Sequence, residues 1–417
     1  MTRWARLAIS LATAFSVLST GAALAQTPEA SSVASVTAAA APVAHVYVGS
    51  GSHILAYSVA ANGKLTAVPG SPFNFNLSLM GANGRYLFGF EPSSLIIDSF
   101  SMAANGALKK AATTNTQTYE SSTCSPLTYW NGQGLRIDHS GLDLYNAAIP
   151  EDLFCYSKFQ SFKINNTNGK LSFLGDTDKI FYGGPQLYML GNNQYAYSPD
   201  CAAAFGNGPS PQVIVFQRLS SGELVTAKAG VALPAAPVDT SNPDSGGPHS
   251  GYYCPLTMAT DPTNHAAMTL QAYDPDDSAD YGPVVIATFT EDAKGNLKTT
   301  STYKNMAVSE PGGGPTGAPG GSMRMSPSGK LLAVGKSGLE IFHFNGGNPV
   351  TKYKTLLPGF NVTQILWDNS NHMYAIGKTS AGAGKLYIYT VTPTSVTLAP
   401  GSPYSIASPG NIVVQPL

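Results

Sequence analysis

Charge is scarce in this chain. Only 11 % of its 417 residues are Asp, Glu, Lys or Arg, against about 25 % in an ordinary soluble domain. The 23 basic and 24 acidic side chains nearly cancel, leaving a net charge of -1. That balance supplies no basic face to neutralise phosphates, which argues against a nucleic-acid partner. Beyond residue 25 there is no run of 18 apolar residues, so no membrane span is expected there. Cysteine is limited to four residues, and no two have the two-to-four-residue spacing of a structural zinc site. The usual enzyme signatures are missing: no Gly-x-Ser-x-Gly elbow, no His-Glu-x-x-His and no phosphate-binding glycine loop. Gly312-Gly313-Gly314-Pro315 precedes no helical pattern and so makes no anion site.

Apolar residues are not scarce. They make up 43 % of the chain, which excludes a disordered protein. The 43 glycines and 30 prolines exceed average usage, about 7 % and 5 % respectively, and favour many turns and short strands over long helices. Residues 1–25 have the form of a secretory signal. Arg3 and Arg6 precede the apolar run Leu7–Leu18, and Ala23-Leu24-Ala25 offers a small-x-small cleavage site before Gln26. Residues 26–42 are small and repetitive and lack aromatics, as expected of a flexible leader. A periplasmic or secreted destination follows, which permits disulfides.

A short phrase recurs along the rest of the chain: Asn62-Gly63-Lys64-Leu65, Asn105-Gly106-Ala107-Leu108, Asn168-Gly169-Lys170-Leu171, Ser221-Gly222-Glu223-Leu224 and Lys294-Gly295-Asn296-Leu297. Each follows an alternating apolar run such as Ile54-Leu55-Ala56-Tyr57-Ser58-Val59. Asn-Gly between two such runs is a strong hairpin signal, because its glycine accepts the positive φ of a type I′ turn. A second set of turns precedes these strands; Ser326-Pro327-Ser328-Gly329-Lys330 is the clearest. Together they predict four-stranded antiparallel units over 74–117, 118–181, 182–248, 249–310, 311–359 and 360–407. A seventh unit draws three strands from 43–73 and its first strand from 408–417. The predicted fold is all-β, a seven-bladed β-propeller over 43–417. Its ring is closed by pairing Val46-Tyr47-Val48 with Ile412-Val413-Val414, which removes the free edge. Two β-sandwiches are the rival; they explain the repeated phrase less well and leave the pairing of the two ends unexplained.

Val46-Tyr47-Val48, the Asn-Gly-x-Leu hairpins and Ser326-Pro327-Ser328-Gly329-Lys330-Leu331-Leu332 resemble the lactonase-type seven-bladed propellers. That family includes the propeller form of 6-phosphogluconolactonase and the carboxymuconate cyclases. The resemblance spans nearly all of 43–417 and implies the fold first and a lactone hydrolase second. Enzymatic members carry Gly-Pro-Arg-His before an inner strand. Here Gly320-Gly321-Ser322-Met323 stands at that place with Arg324 following, and Gly247-Pro248-His249 lacks the arginine. No catalytic residue is therefore carried over from the family.

In such a ring, loops entering the inner strands and loops between second and third strands open on one face. His53, His249, Arg324 and Glu91 are the candidates for catalysis there, since lactone opening needs a base for water and cationic donors for the oxyanion. His45, His139, His265, His343 and His372 fall in strands or in the opposite turns, as structural residues. Cys124, Cys155, Cys201 and Cys254 all sort to the loop face; reach favours Cys124–Cys155 within one blade and Cys201–Cys254 between two. Asp274, Asp276, Asp277 and Asp280 form the densest acidic segment. Calcium is the ion such oxygen ligands would take, but the segment lacks the glycine and terminal glutamate of an EF-hand, so a solvated loop and no cofactor are expected.

Two function classes stay open. One is an exported hydrolase of a sugar or aromatic lactone. The other is a non-catalytic secreted module that holds a glycan or protein through Tyr119, Tyr129, Trp130, Tyr252, Tyr253 and Tyr273. Either way the chain is expected to be a monomer with its ligand at the channel mouth.

Overall fold

The computed structural model describes residues 40–91, 94–117, 127–128, 135–150, 158–177, 186–201, 212–239, 249–276, 279–310 and 322–417; at 127–128, 148–150 and 249–250 it describes the backbone alone. The proposed signal, residues 1–25, and most of the leader, 26–42, lie outside them. Every regular element among the described residues is a strand.

The two ends of the folded chain share one sheet. Its order is Leu65–Ala67, His53–Val59, Ala44–Ser50 and Pro409–Pro416. The last two run antiparallel, with Val46 opposite Val414, Tyr47 opposite Val413 and Val48 opposite Ile412. Alternation along these strands feeds two cores. Val46, Val48 and Ile412 pack with Tyr374, Ile376 and Ile388, while Tyr47 and Val413 pack with Met80, Leu87 and Phe100. Each fully buried side chain of this size contributes roughly 1.5–3 kcal/mol. The expected ring closure is therefore present.

Consecutive meanders follow. The first is Leu79–Ala82, Tyr86–Glu91, Ile96–Met102 and Leu108–Asn115. In the next, Leu127–Thr128 and Arg136–Ile137 both pair with Asp143–Pro150, which leads to Lys158–Ile164 and Leu171–Asp176. Tyr188–Met189, Tyr195–Asp200, Gln212–Arg218 and Leu224–Thr226 make a further sheet. Another holds Tyr252–Thr260, His265–Asp274, Ala279–Glu291 and Leu297–Lys298, with Ala307–Val308 beside the third strand.

The expectation of seven separate blades is corrected here. Five separate four- or five-stranded blades form, and the units expected at 311–359 and 360–407 are one eight-stranded sheet. The reason is the 20-residue strand Asn348–Trp367. Its first half pairs with Ser337–Asn345 and its second half with His372–Lys378. Pro358-Gly359 looks like a break in sequence. Instead, Leu357 at φ 52° and Gly359 at φ 74° absorb a kink within a continuous strand.

The repeated phrase has a purpose beyond turning the chain. Gly63, Gly106, Gly169, Gly222 and Gly295 all have φ between 75° and 99°. Three of these turns are bound by a tyrosine of the adjacent blade. Tyr47 donates to the Gly106 carbonyl at 3.0 Å, Tyr145 to Gly222 at 2.9 Å and Tyr197 to Gly295 at 3.0 Å. All three rings are buried. The opposite turns are held by one polar side chain each. Asp138 accepts from the backbones of Leu142 and Asp143, Asp261 from Thr263 and His265, and Asp368 from Ser370 and His372.

A Cβ on Gly106 would lie 2.7 Å from Nδ1 of His45 and 2.9 Å from Val68. Gly106→Ala should therefore cost about 2 kcal/mol or more, combining a left-handed backbone with a clash. Gly51, at φ 60°, has nothing within 4 Å of the added atom. Gly51→Ala should cost only the backbone part, about 1 kcal/mol. Denaturant midpoints of the two variants separate these terms.

Candidate functional site at the channel mouth

Inner strands enter from the same face, and in three of them a polar residue near the start reaches the next inner strand. The Ser322 hydroxyl accepts from the Ile365 amide at 2.9 Å, Oε1 of Gln364 from Ile412 at 2.8 Å, and Oδ1 of Asn411 from Met80 at 3.0 Å. This collar links four successive inner strands and fixes how the amide side chains point. Because each carbonyl oxygen is committed to a backbone N–H, the NH2 groups of Gln364 and Asn411 are the ends left over. Neither has a hydrogen-bond partner among the described residues.

Both residues line a cavity of about 490 Å³ at this face. Asn76, Asn361, Thr363 and Lys378 line it as well. The lining is rich in amides and hydroxyls, with one cation and no carboxylate or imidazole among the described residues. Gly49, Gly51 and Gly410 admit the loop backbones to its wall.

The candidates read from sequence are not gathered there. His53 begins the strand His53–Val59, exposed, with Nδ1 3.1 Å from the Ser52 hydroxyl. Glu91 ends Tyr86–Glu91 on the same face, outside the cavity wall. The backbone of His249 pairs opposite Asp239 in a two-stranded ribbon rather than lying in an open loop. Arg324 is far along its inner strand and lines a different cavity of about 190 Å³.

Cys201 and Cys254 are joined by a disulfide, with Cα atoms 5.3 Å apart, tying two neighbouring blades. Cys254 sits inside the strand Tyr252–Thr260 rather than before it. Cys124 and Cys155 lie outside the described residues. Tyr252 and Tyr273 stack obliquely beside the disulfide, ring centroids 5.7 Å apart, and Tyr253 and Tyr273 are buried. These rings pack rather than form a shelf; Tyr119, Tyr129 and Trp130 lie outside the described residues. In the acidic segment, Asp274 is buried and accepts from the Asp276 amide at 2.8 Å, while Asp277 is not described. Among the described residues no group of three or more His, Cys, Asp or Glu is placed to hold a metal. Of the five histidines expected to be structural, His139 lines the smaller cavity beside Arg324, while His45 and His372 make contacts within the fold. His372 and Tyr374 share Oδ2 of Asp368 at 2.7 and 2.8 Å, and His45 lies 3.2 Å from the Ala104 carbonyl.

A paired motif escaped the sequence reading. Val334-Gly335-Lys336-Ser337 and Ile376-Gly377-Lys378-Thr379 occupy the same place, the end of a second strand. Both glycines lie under close neighbours: a Cβ on Gly335 would lie 2.7 Å from Val362 of the next inner strand, and one on Gly377 would run into the Asn361 carbonyl of the strand paired with it. The lysines therefore reach the mouth face. Lys378 lines the cavity, whereas Nζ of Lys336 is buried without a hydrogen bond. Burial lowers the Lys336 pKa, and Asp280 opposes that shift only in part.

Solved structures resemble this ring. A Bacteroides uniformis protein provisionally assigned as a 6-phosphogluconolactonase superposes with a TM-score of 0.55 at 14 % identity, covering 89 % of this chain and 99 % of its own. A Desulfotomaculum acetoxidans protein of unknown function gives 0.53 at 13 % identity, covering 89 % and 98 %. A puromycin hydrolase gives 0.51 at 12 % identity, covering 88 % of this chain and 53 % of its own. At such identities the likeness concerns the fold, a propeller of the kind found in lactonase-like proteins. No protein-family model and no curated relative matches the chain.

An unpaired buried ammonium costs stability, because water no longer solvates it. A lysine whose pKa is lowered on folding makes the native state less stable wherever the folded form must hold the proton, and the cost shrinks as pH rises toward the unfolded value. Lys336→Met should thus raise Tm at pH 7, with the gain diminishing towards pH 10. Thermal unfolding across that range checks the sign.

Proposed function

We propose that the protein is an exported, lactonase-like propeller whose mouth cavity takes a sugar lactone. The observation that carries this reading is the pair of oriented amide donors at Gln364 and Asn411. A lactone presents one carbonyl oxygen, which gathers negative charge as water adds to its carbon. Pre-aimed N–H donors favour that oxygen more in the transition state than in the ground state. Lys378 adds a positive charge on the same wall. Asn76, Asn361 and Thr363 supply donors and acceptors for ring hydroxyls. Hydrolysis adds water across the ring ester, breaks the acyl–oxygen bond and releases a hydroxy acid. None of His53, Glu91 and His249 lines the cavity, and the base that takes the proton from water is proposed from among them as the residues whose chemistry suits that role. Export is supported by the signal-like residues 1–25 and by the Cys201–Cys254 disulfide. No metal or other cofactor is invoked, and the partner is a small neutral molecule.

The amide-rich lining also favours a second reading, a module that holds a neutral sugar without turning it over. One assay separates the two. Glucono-1,5-lactone hydrolysis above the uncatalysed rate, reduced about 10²–10³-fold in kcat by Gln364→Met with KM little changed, is expected of the enzyme. A Tm rise with gluconate or glucose but no turnover supports the binding module. Neither turnover nor a sugar-dependent shift rejects both.

A further inference from the structure

The channel has a second charged site, at the end away from the mouth. Arg136–Ile137, Tyr188–Met189, Tyr252–Thr260 and Ser322–Met325 are inner strands of four blades. Arg136, Tyr188, Thr260 and Arg324, all near the far ends of those strands, line one cavity of about 190 Å³. Its volume matches the share of liquid held by on the order of six waters, enough for a small oxyanion.

Two guanidinium groups thus face the same confined space. Arg324 donates to the Met323 carbonyl at 3.1 Å, and no carboxylate pairs with it among the described residues. Arg218 differs from Arg324 in this respect, because Asp138, at 3.2 Å, and Asp143 both pair with it. Arg136 is steadied over the Tyr188 ring, 5.7 Å from its centroid. The Tyr188 hydroxyl is in turn held by Gln186 and, at 2.8 Å, by Thr257. The planar forks of two arginines match the oxygens of one phosphate or carboxylate.

We propose that Arg136 and Arg324 form a binding site for a small oxyanion, phosphate or carboxylate, within the far end of the channel. Burial, together with the like charge of Arg324, pushes Arg136 down to about 9, and burial lowers Arg324 too. A bound anion would favour the charged form of each guanidinium. This site is separate from the mouth cavity and does not rest on the lactonase reading.

Thermal unfolding of the whole protein tests it, in inorganic phosphate, in malonate and in chloride at matched ionic strength. The expected result is a rise in Tm of roughly 1–3 °C with phosphate or malonate over chloride. Whichever anion gives the larger rise identifies the preferred oxyanion. In Arg324→Met the rise disappears, and Tm in chloride is no lower than that of the parent, because a repulsion has been removed. Arg324→Lys keeps the charge but loses the fork, and should weaken the anion at least tenfold by titration calorimetry. An equal rise in parent and Arg324→Met overturns the proposal, as does no rise over chloride with either anion. A large drop in Tm for both variants in chloride also overturns it, because the arginine would then be structural.

Discussion

The antiparallel pairing of Ala44–Ser50 with Pro409–Pro416 is the constraint on which the rest of the molecule depends. Each blade buries its faces against two neighbours, so an open arc would leave two sheet faces and a row of backbone groups in water. Closing the ring removes both costs at once. It also brings inner strands from distant parts of the sequence around one axis. The collar Ser322–Ile365, Gln364–Ile412 and Asn411–Met80 exists only because residue 411 stands next to residue 80. Without the closure there would be no mouth cavity and no fixed direction for its amides.

Between blades the structure relies on small, repeated contacts rather than on large ones. A buried tyrosine on a second strand meets the carbonyl of a left-handed glycine in the neighbouring outer hairpin. A single carboxylate gathers the amides of the inner turn. Both devices satisfy backbone groups that burial would otherwise leave unpaired. Neither device needs an ion pair, although Arg218 does pair with Asp138 and Asp143 of the neighbouring blade.

Much of this was legible in the sequence. The Asn-Gly-x-Leu phrase marks a hairpin because only glycine enters that φ region without cost, and the alternating runs around it mark strands with two buried faces. Terminal closure followed from two unpaired apolar runs. The eight-stranded sheet was not legible, because Pro358-Gly359 carries the same signal whether the chain turns or merely kinks. The site was harder. Gln364 and Asn411 look like ordinary polar residues until the collar shows which of their atoms are already used. Arg324 was visible as a cation on an inner strand, but its companion Arg136 lies 188 positions earlier and nothing local connects them. The glycine-lysine pairs at 335–336 and 377–378 were a readable repeat, at a spacing hidden by the longer hairpins on either side.

The closing strand ends beside the place where the folded chain begins, with the Leu417 amide donating to the Val43 carbonyl at 3.0 Å. The order of the blades round the ring therefore does not depend on which residue comes first. A short covalent bridge between those two residues would make the backbone a loop. It could then be opened at any exposed outer hairpin, giving a chain with a different first residue and the same arrangement of sheets.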